Sequence, residues 1–280
     1  MNKKLFITLG LIVAIISSKP AFCQDDEDKP IRPPFETTLL IDNQTTVNPY
    51  KGSMTLEIQH RFSQISSISD LFGIYGTANT RMALSYGITD KAMVGFGTTR
   101  GYKLQDLFWK YSIFTQTRSG SMPVSLSYAG NAVIDARNSE VFGPAEDYTF
   151  IHRMSYMNQL IVSRKIGMLF SAQLAPTFIW MNAVEEGYNN LNFSLNAGVR
   201  AMVLGFHSII LEYEQPFTQP EGADVYPNLA LGVEIGTSTH SFRVFAANYN
   251  ALVKNYNVVY NQNNPFDMDY QFGFNISIKF

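Results

Sequence analysis

Tyr270-Gln-Phe-Gly-Phe-Asn-Ile-Ser-Ile-Lys-Phe280 carries a strict two-residue rhythm. Tyr270, Phe272, Phe274, Ile276, Ile278 and Phe280 share one phase, and Gln271, Gly273, Asn275, Ser277 and Lys279 share the other. Successive side chains of a strand point to opposite faces, so one face here is wholly apolar and the other small or polar. A soluble edge strand can alternate too, but an unbroken apolar phase ending in an aromatic exceeds what it needs. The pattern suits a strand with hydrocarbon on one side and water on the other.

The same rhythm recurs upstream. In Asn192–Leu204, Phe193, Leu195, Ala197, Val199, Ala201 and Val203 oppose Asn192, Ser194, Asn196, Gly198 and Arg200. Met54–Ser63 sets Met54, Leu56, Ile58 and Phe62 against Thr55, Glu57, Gln59 and Arg61. Asn228–Thr237 and Arg81–Gly87 repeat it. Ala92–Thr99, Asp106–Phe114, Pro123–Ala132, Thr149–Ser163, Met168–Met181, Ser208–Pro216 and Ser241–Tyr249 complete a set of about twelve strands, with ten or fourteen also compatible. Pro176 lies inside one of these segments and predicts a bulge or a demoted strand, because proline cannot donate to the ladder.

Apolar residues make up 46% of the chain, yet mean hydropathy is near zero, at −0.05. Beyond residue 16 nothing approaches the ~20-residue apolar run of a membrane-spanning helix. The joins alternate: Gly87–Lys91, Thr115–Met122, Arg164–Gly167, Gly205–His207 and Thr237–His240 are short, and most of those between them are long. Transmembrane barrels have short periplasmic turns and longer outer loops. The expectation is an all-β, antiparallel, up-and-down transmembrane barrel over residues 53–280, monomeric, with both termini periplasmic. Aromatics near strand ends, among them Phe62, Tyr86, Trp109, Trp180, Tyr213, Tyr249 and Phe280, suit an interfacial girdle.

The first residues predict the route. Lys3 and Lys4 precede a short apolar run, Leu5–Ile16, and a small-residue region follows, so residues 1–23 read as a signal peptide cut after Cys23. Cys23 has a rival reading as a lipid-modified cysteine, but Phe22 stands where such signals carry a small residue. Residues 24–52, with Asp25-Asp-Glu-Asp28 and Pro30, Pro33 and Pro34, read as a solvated periplasmic leader. The full chain has 21 basic and 23 acidic residues; loss of Lys3, Lys4 and Lys19 leaves 18 against 23, a net of −5. That balance, without a basic stripe, excludes nucleic acid as an expected partner.

Charges on a lipid-facing position cost ~2–4 kcal/mol at the midplane. Glu57, Arg61, Arg81, Lys110, Arg153, Arg200, Glu212, Glu214, Glu234 and Arg243 are therefore lumen-lining candidates. They fit a narrow hydrated pore passing small solutes, or a closed barrel held by paired charges that works through its outer loops. About twelve strands lie between filled and open barrels, so geometry leaves both readings standing. Asn250–Asp267, rich in Asn and Tyr, reads as a hydrated surface loop. His60, His152, His207 and His240 have neither metal-ligand spacing nor a serine partner on a shared face, so no metal, no cofactor and no enzyme activity is expected.

Gln59-His-Arg-Phe62, Asp70-Leu-Phe-Gly73, Ala83-Leu-Ser-Tyr-Gly-Ile-Thr-Asp90 with Val94-Gly-Phe-Gly97, and Thr239-His-Ser-Phe-Arg-Val-Phe245 before Asn248 form an ordered set. Together they resemble a family of outer-membrane β-barrel proteins of unknown function from Bacteroidota, over residues 36 to 280. The final strand, with Ile276, Ile278 and Phe280, also resembles the terminal signature that the barrel-assembly machinery reads in Gram-negative bacteria. These resemblances imply an outer-membrane location, membrane lipids and the assembly machinery as partners, and no transferable catalytic residue.

Overall fold

In a computed structural model, the described residues are 28–280 apart from 66–68, 70, 72, 145, 206 and 268. The expected signal peptide and the first acidic residues of the leader lie outside them. Alternating sequence becomes strand throughout: β1 (Met54–Gln64), β2 (Asn79–Thr89), β3 (Ala92–Thr99), β4 (Leu104–Phe114), β5 (Ser125–Asp135) and β6 (Met154–Ile166) form one half. β7 (Phe170–Met181), β8 (Leu191–Leu204), β9 (His207–Pro216), β10 (Asn228–Gly236), β11 (His240–Ala247) and β12 (Gln271–Lys279) form the other. Each strand pairs antiparallel with its sequence neighbours, and β12 closes on β1. Closure leaves no sheet edge, which is what a sheet in hydrocarbon requires.

The phases fall as the sequence implies. On β12, Gln271, Gly273, Asn275 and Ser277 are buried while Phe272, Phe274, Ile276 and Ile278 face outward. Around the girth, Leu84, Phe96, Leu107, Phe178, Leu211 and Leu231 stand exposed on the outer surface. So large an apolar surface on a folded chain marks contact with lipid. Phe280 and Met54 exchange backbone hydrogen bonds of 3.0 and 3.2 Å at the closing seam.

Pro176 departs from expectation. β7 runs through it without a register shift: Gln159 pairs with Thr177 and Val162 with Leu174 on β6, and Pro176 pairs with Leu195 on β8. The missing amide interrupts only the β6 side of the ladder locally, and long pairing on both sides absorbs the loss.

Two segments overturn expectations. The stretch from Phe35 to Thr45, placed in a solvated leader, is folded inside the barrel. The β11–β12 connection, expected as a hydrated surface loop, turns inward and forms a short helix, α1 (Lys254–Val259), every residue of which is buried. The physical reason is shared. The barrel is too wide for its own side chains to fill, and both segments carry apolar residues that gain by leaving water. Tyr249, expected in the interfacial girdle, follows the inward turn and is buried at 2% exposure beside Phe245 and Leu40.

Candidate functional site: an occupied polar lumen

The lumen wall is assembled from the polar phase of the strands. Glu57, Arg61, Arg81, Lys110, Arg200, Glu212, Glu214, Glu234 and Arg243 are all buried on the inner side. Several pair across the wall itself. Arg81 binds the Asp106 carboxylate twice, at 3.0 and 2.6 Å, between β2 and β4. Arg200 on β8 meets Glu234 on β10 at 2.5 Å. Arg243 on β11 joins Glu57 on β1 and the Ser277 hydroxyl on β12. Such pairs offset the cost of carrying charge away from bulk water, since each leaves its partner stranded if lost.

Arg153 does not belong to this wall. It ends the 3-10 turn Phe150–Arg153 just ahead of β6, at the long-loop rim. Its guanidinium donates to the carbonyls of Asp135, at 2.8 Å, and Arg137, and lies over the Phe142 and Tyr148 rings. It braces the β5–β6 loop because the strand that would have aimed it inward starts one residue later.

Arg61, Lys110, Glu212 and Arg243 hold the N-terminal hairpin. Its strands are linked by Leu40 N–H to Asn43 O, 2.9 Å, and Thr45 N–H to Thr38 O, 2.9 Å. At the tip, the amides of Ile41, Asp42 and Asn43 all donate to one oxygen of Glu212, at 3.0, 3.2 and 3.2 Å. Three successive amides turned toward one point form an anion-binding concavity, and here a wall carboxylate fills it. Asp42 meets Arg61 at 3.3 Å. Arg243 donates to the carbonyls of Leu39 and Leu40, 2.6 and 3.2 Å, and Asn275 to that of Ile41, 2.6 Å. Lys110 reaches Thr38 O at 3.3 Å and Gln44 Oε1 at 3.0 Å. Phe35, Leu40 and Ile41 add an apolar anchor against Ile210, Phe245 and Tyr249. Gly198 leaves the space into which Leu40 fits: a Cβ there would stand 2.7 Å from its Cδ2.

From the opposite end, α1 supplies a second stopper. Lys254 pairs with Glu214, Asn255 bonds Ser155 at 3.0 Å and Asn131 at 2.8 Å, and Tyr256 donates to Asp135 at 3.0 Å. Val253, Val258 and Val259 pack on Leu104, Val133, Met157 and Ile179. The two stoppers meet where the Asn257 amide donates to Asp42. Beside the contact a pocket of about 40 Å³, lined by Asp42, Gln59, Arg81, Asp106 and Gln159, has room for a few water molecules. Below the hairpin a vestibule of about 1240 Å³ opens at the short-turn end among Pro30, Pro34, Thr46, Ser125 and Lys279.

The histidines sit apart from the lumen's polar network. His60 stacks on Phe274 at 4.9 Å, and His240 bonds Thr239 at 2.8 Å in the β10–β11 turn. Among the described residues no group of three or more potential metal ligands occurs.

Residues 35–280 match the family model described as Membrane bound beta barrel domain (DUF5777). The chain belongs to this family. The matched range begins at Phe35, so the hairpin is part of the family's domain. No curated protein matches the chain. Among solved structures it is similar to the KdgM porin in complex with disordered oligogalacturonate, at TM-score 0.50 and 9% identity, over 81% of this chain and 99% of that one. The NanC porin gives 0.48 and 8%, over 81% and 98%. The COG4313 outer membrane channel from Pseudomonas putida F1 gives 0.47 and 11%, over 84% and 97%. The protein is a membrane-bound barrel of twelve strands with porin-like architecture.

Proposed function

We propose that this protein is an outer-membrane pore for small solutes whose passage is stoppered, in the state described, by its own hairpin and by α1. The observation that supports this best is the chemistry of the wall. A barrel meant only to be closed fills more stably with apolar side chains, because breaking even with buried charges demands near-ideal pairing. Here Arg61 finds its carboxylate partner, Lys110 its acceptors and Glu212 its three amide donors on the hairpin, while the wall adds only neutral amide contacts, Asn275 to Arg61 at 3.0 Å and Asn196 to Glu212 at 3.4 Å. A wall that stays polar without its stopper is one that water and solutes can wet.

In this reading the signal peptide directs export, cleavage follows Cys23, and the short-turn end with both termini faces the periplasm. The terminal strand engages the assembly machinery, the outer membrane belongs to a bacterium of the Bacteroidota type, and the barrel carries no catalysis.

Planar-bilayer recording tests the pore. The mature chain should be nearly silent, with a steady ohmic current after deletion of residues 35–47 together with replacement of residues 253–260 by a glycine-serine linker, which removes both stoppers. Silence in both forms would sink the pore. It would favour a closed barrel acting through its outer loops, for which the burial of α1 is the supporting observation.

A further inference from the structure

What the wall holds is a polypeptide, and it holds mainly the main chain. Beyond the three amides on Glu212, five hairpin carbonyls are gripped: Thr38 by Lys110, Leu39 and Leu40 by Arg243, Ile41 by Asn275, and Gln44 by Gln173 of β7 at 3.1 Å. Lys279 takes a sixth, Glu36 O, at 2.9 Å. Side chains are held as well, though at fewer points than the main chain: Asp42 by Arg61, Gln59 and Asn257, Gln44 by Lys110, Asn43 by Gln159 at 2.7 Å, Thr46 by Ser163 at 2.6 Å, and Glu36 by Arg200 at 4.0 Å. The donors come from β4, β7, β11 and β12, and the acceptor from β9, so the grip is circumferential. Polar capacity also remains unused. Arg61 Nε, Arg243 Nε, Asn196 Oδ1, Asn257 Oδ1 and Gln159 Oε1 are buried and make no hydrogen bond within the protein.

A site that satisfies peptide carbonyls with fixed cations and amides, and peptide N–H groups with a fixed carboxylate, selects first for a peptide backbone. The apolar seat of Leu40 and Ile41 beside it adds a preference for apolar side chains. Sugars present hydroxyls in a different array and offer no run of amide donors, so they leave these buried groups poorly matched. We propose that the lumen, once the hairpin leaves it, is a binding site for the main chain of short peptides able to take up the hairpin's turn, and that these are the solute class the pore admits. The hairpin then acts as a tethered competitor occupying the site of its own solute. This rests on the pore reading, and the experiment separates the two.

Two variants open the lumen, each with residues 253–260 replaced by a glycine-serine linker so that α1 no longer closes the far end: deletion of residues 35–47, and Leu40→Asp/Ile41→Asp, which keeps the hairpin's length but sets carboxylates beside Glu212 and in the apolar seat. Each is reconstituted in planar bilayers and titrated with acetyl-tetraalanine amide, its N-methylated analogue, and maltotetraose. The expected result is current block by tetraalanine at about ten-fold lower concentration than by maltotetraose, lost on N-methylation and reduced in Glu212→Ala. Equal block by peptide, methylated peptide and sugar in a conducting variant overturns the peptide assignment and leaves the pore intact. If neither variant conducts although both show folded-barrel circular dichroism, pore and peptide assignment fall together. If the deletion does not fold, the double substitution alone decides between the same outcomes.

Discussion

Glu212 shows how much one side chain on the wall can control. Its carboxylate is the shared acceptor for three hairpin amides, and buried amides left without an acceptor cost ~1–3 kcal/mol. Glu212→Ala should therefore raise hydrogen exchange at residues 38–45 by roughly ten- to a hundred-fold, and Glu212→Gln, which keeps an acceptor oxygen, by much less. Unchanged exchange in the alanine variant would mean that the apolar anchor alone seats the tip. Asp28 plays a lesser part outside the barrel. Hydrogen bonds from Ser121 and Ser119 in the β4–β5 turn hold its pKa below the ordinary carboxylate value. Since the bound form favours the charged state, the latch is present above the ordinary value and lost as pH falls through the lowered one. Limited proteolysis of the leader should accelerate on acidification across that window, and Ser119→Ala/Ser121→Ala should show the faster rate at neutral pH already. Proteolysis indifferent to both changes would show that Asp28 does not latch the leader.

At the scale of elements, the hairpin and α1 fill the lumen from its two ends, and under the pore proposal their movement sets passage. The Thr46 and Ser163 hydroxyls lie 2.6 Å apart, joining the hairpin stem to β6. A Thr46→Cys/Ser163→Cys pair should form a disulfide, since no other cysteine remains if cleavage follows Cys23. Oxidised, the channel should lose the rare openings of the nearly silent parent; reduced, it should recover them. Indistinguishable traces in the two redox states would show that the hairpin does not move to gate. For α1, Lys254→Ala leaves Glu214 buried beside Ser194 without its cation. It should loosen the loop, with proteolytic cleavage between residues 250 and 267 at the long-loop end as readout.

The whole barrel is governed by which side of the sheet each residue takes. Leu231, 56% exposed near the middle of β10, faces hydrocarbon. Leu231→Arg should destabilise the barrel in phosphatidylcholine vesicles by ~2–4 kcal/mol in reversible denaturant unfolding. Its lumen-facing neighbour Glu234 is paired with Arg200, so Glu234→Gln should act instead through loss of that pair. An equal effect of Leu231→Arg in detergent-free buffer, with the protein soluble, would contradict a lipid-facing surface.

The alternation of Phe272 to Ile278, of Phe193 to Val203 and of Leu229 to Ile235 was enough to place strands and faces, because a two-residue period is a local property that any strand must express. The same rule selected the inward charges, and it failed at Arg153 only because a strand boundary shifts by a residue or two without leaving a local mark. What the local pattern could not express was the content of the lumen. Leu39-Leu-Ile41 inside a supposed linker, and Val258-Val259 inside a supposed surface loop, were the visible hints. Their destination depends on the width of a closed barrel and on donors brought together from strands more than two hundred residues away. Sequence alone fixes which side of each strand meets lipid, since that is written in neighbouring residues. Only the closed tertiary structure settles that the chain fills its own lumen, since a cavity exists only after distant strands have met.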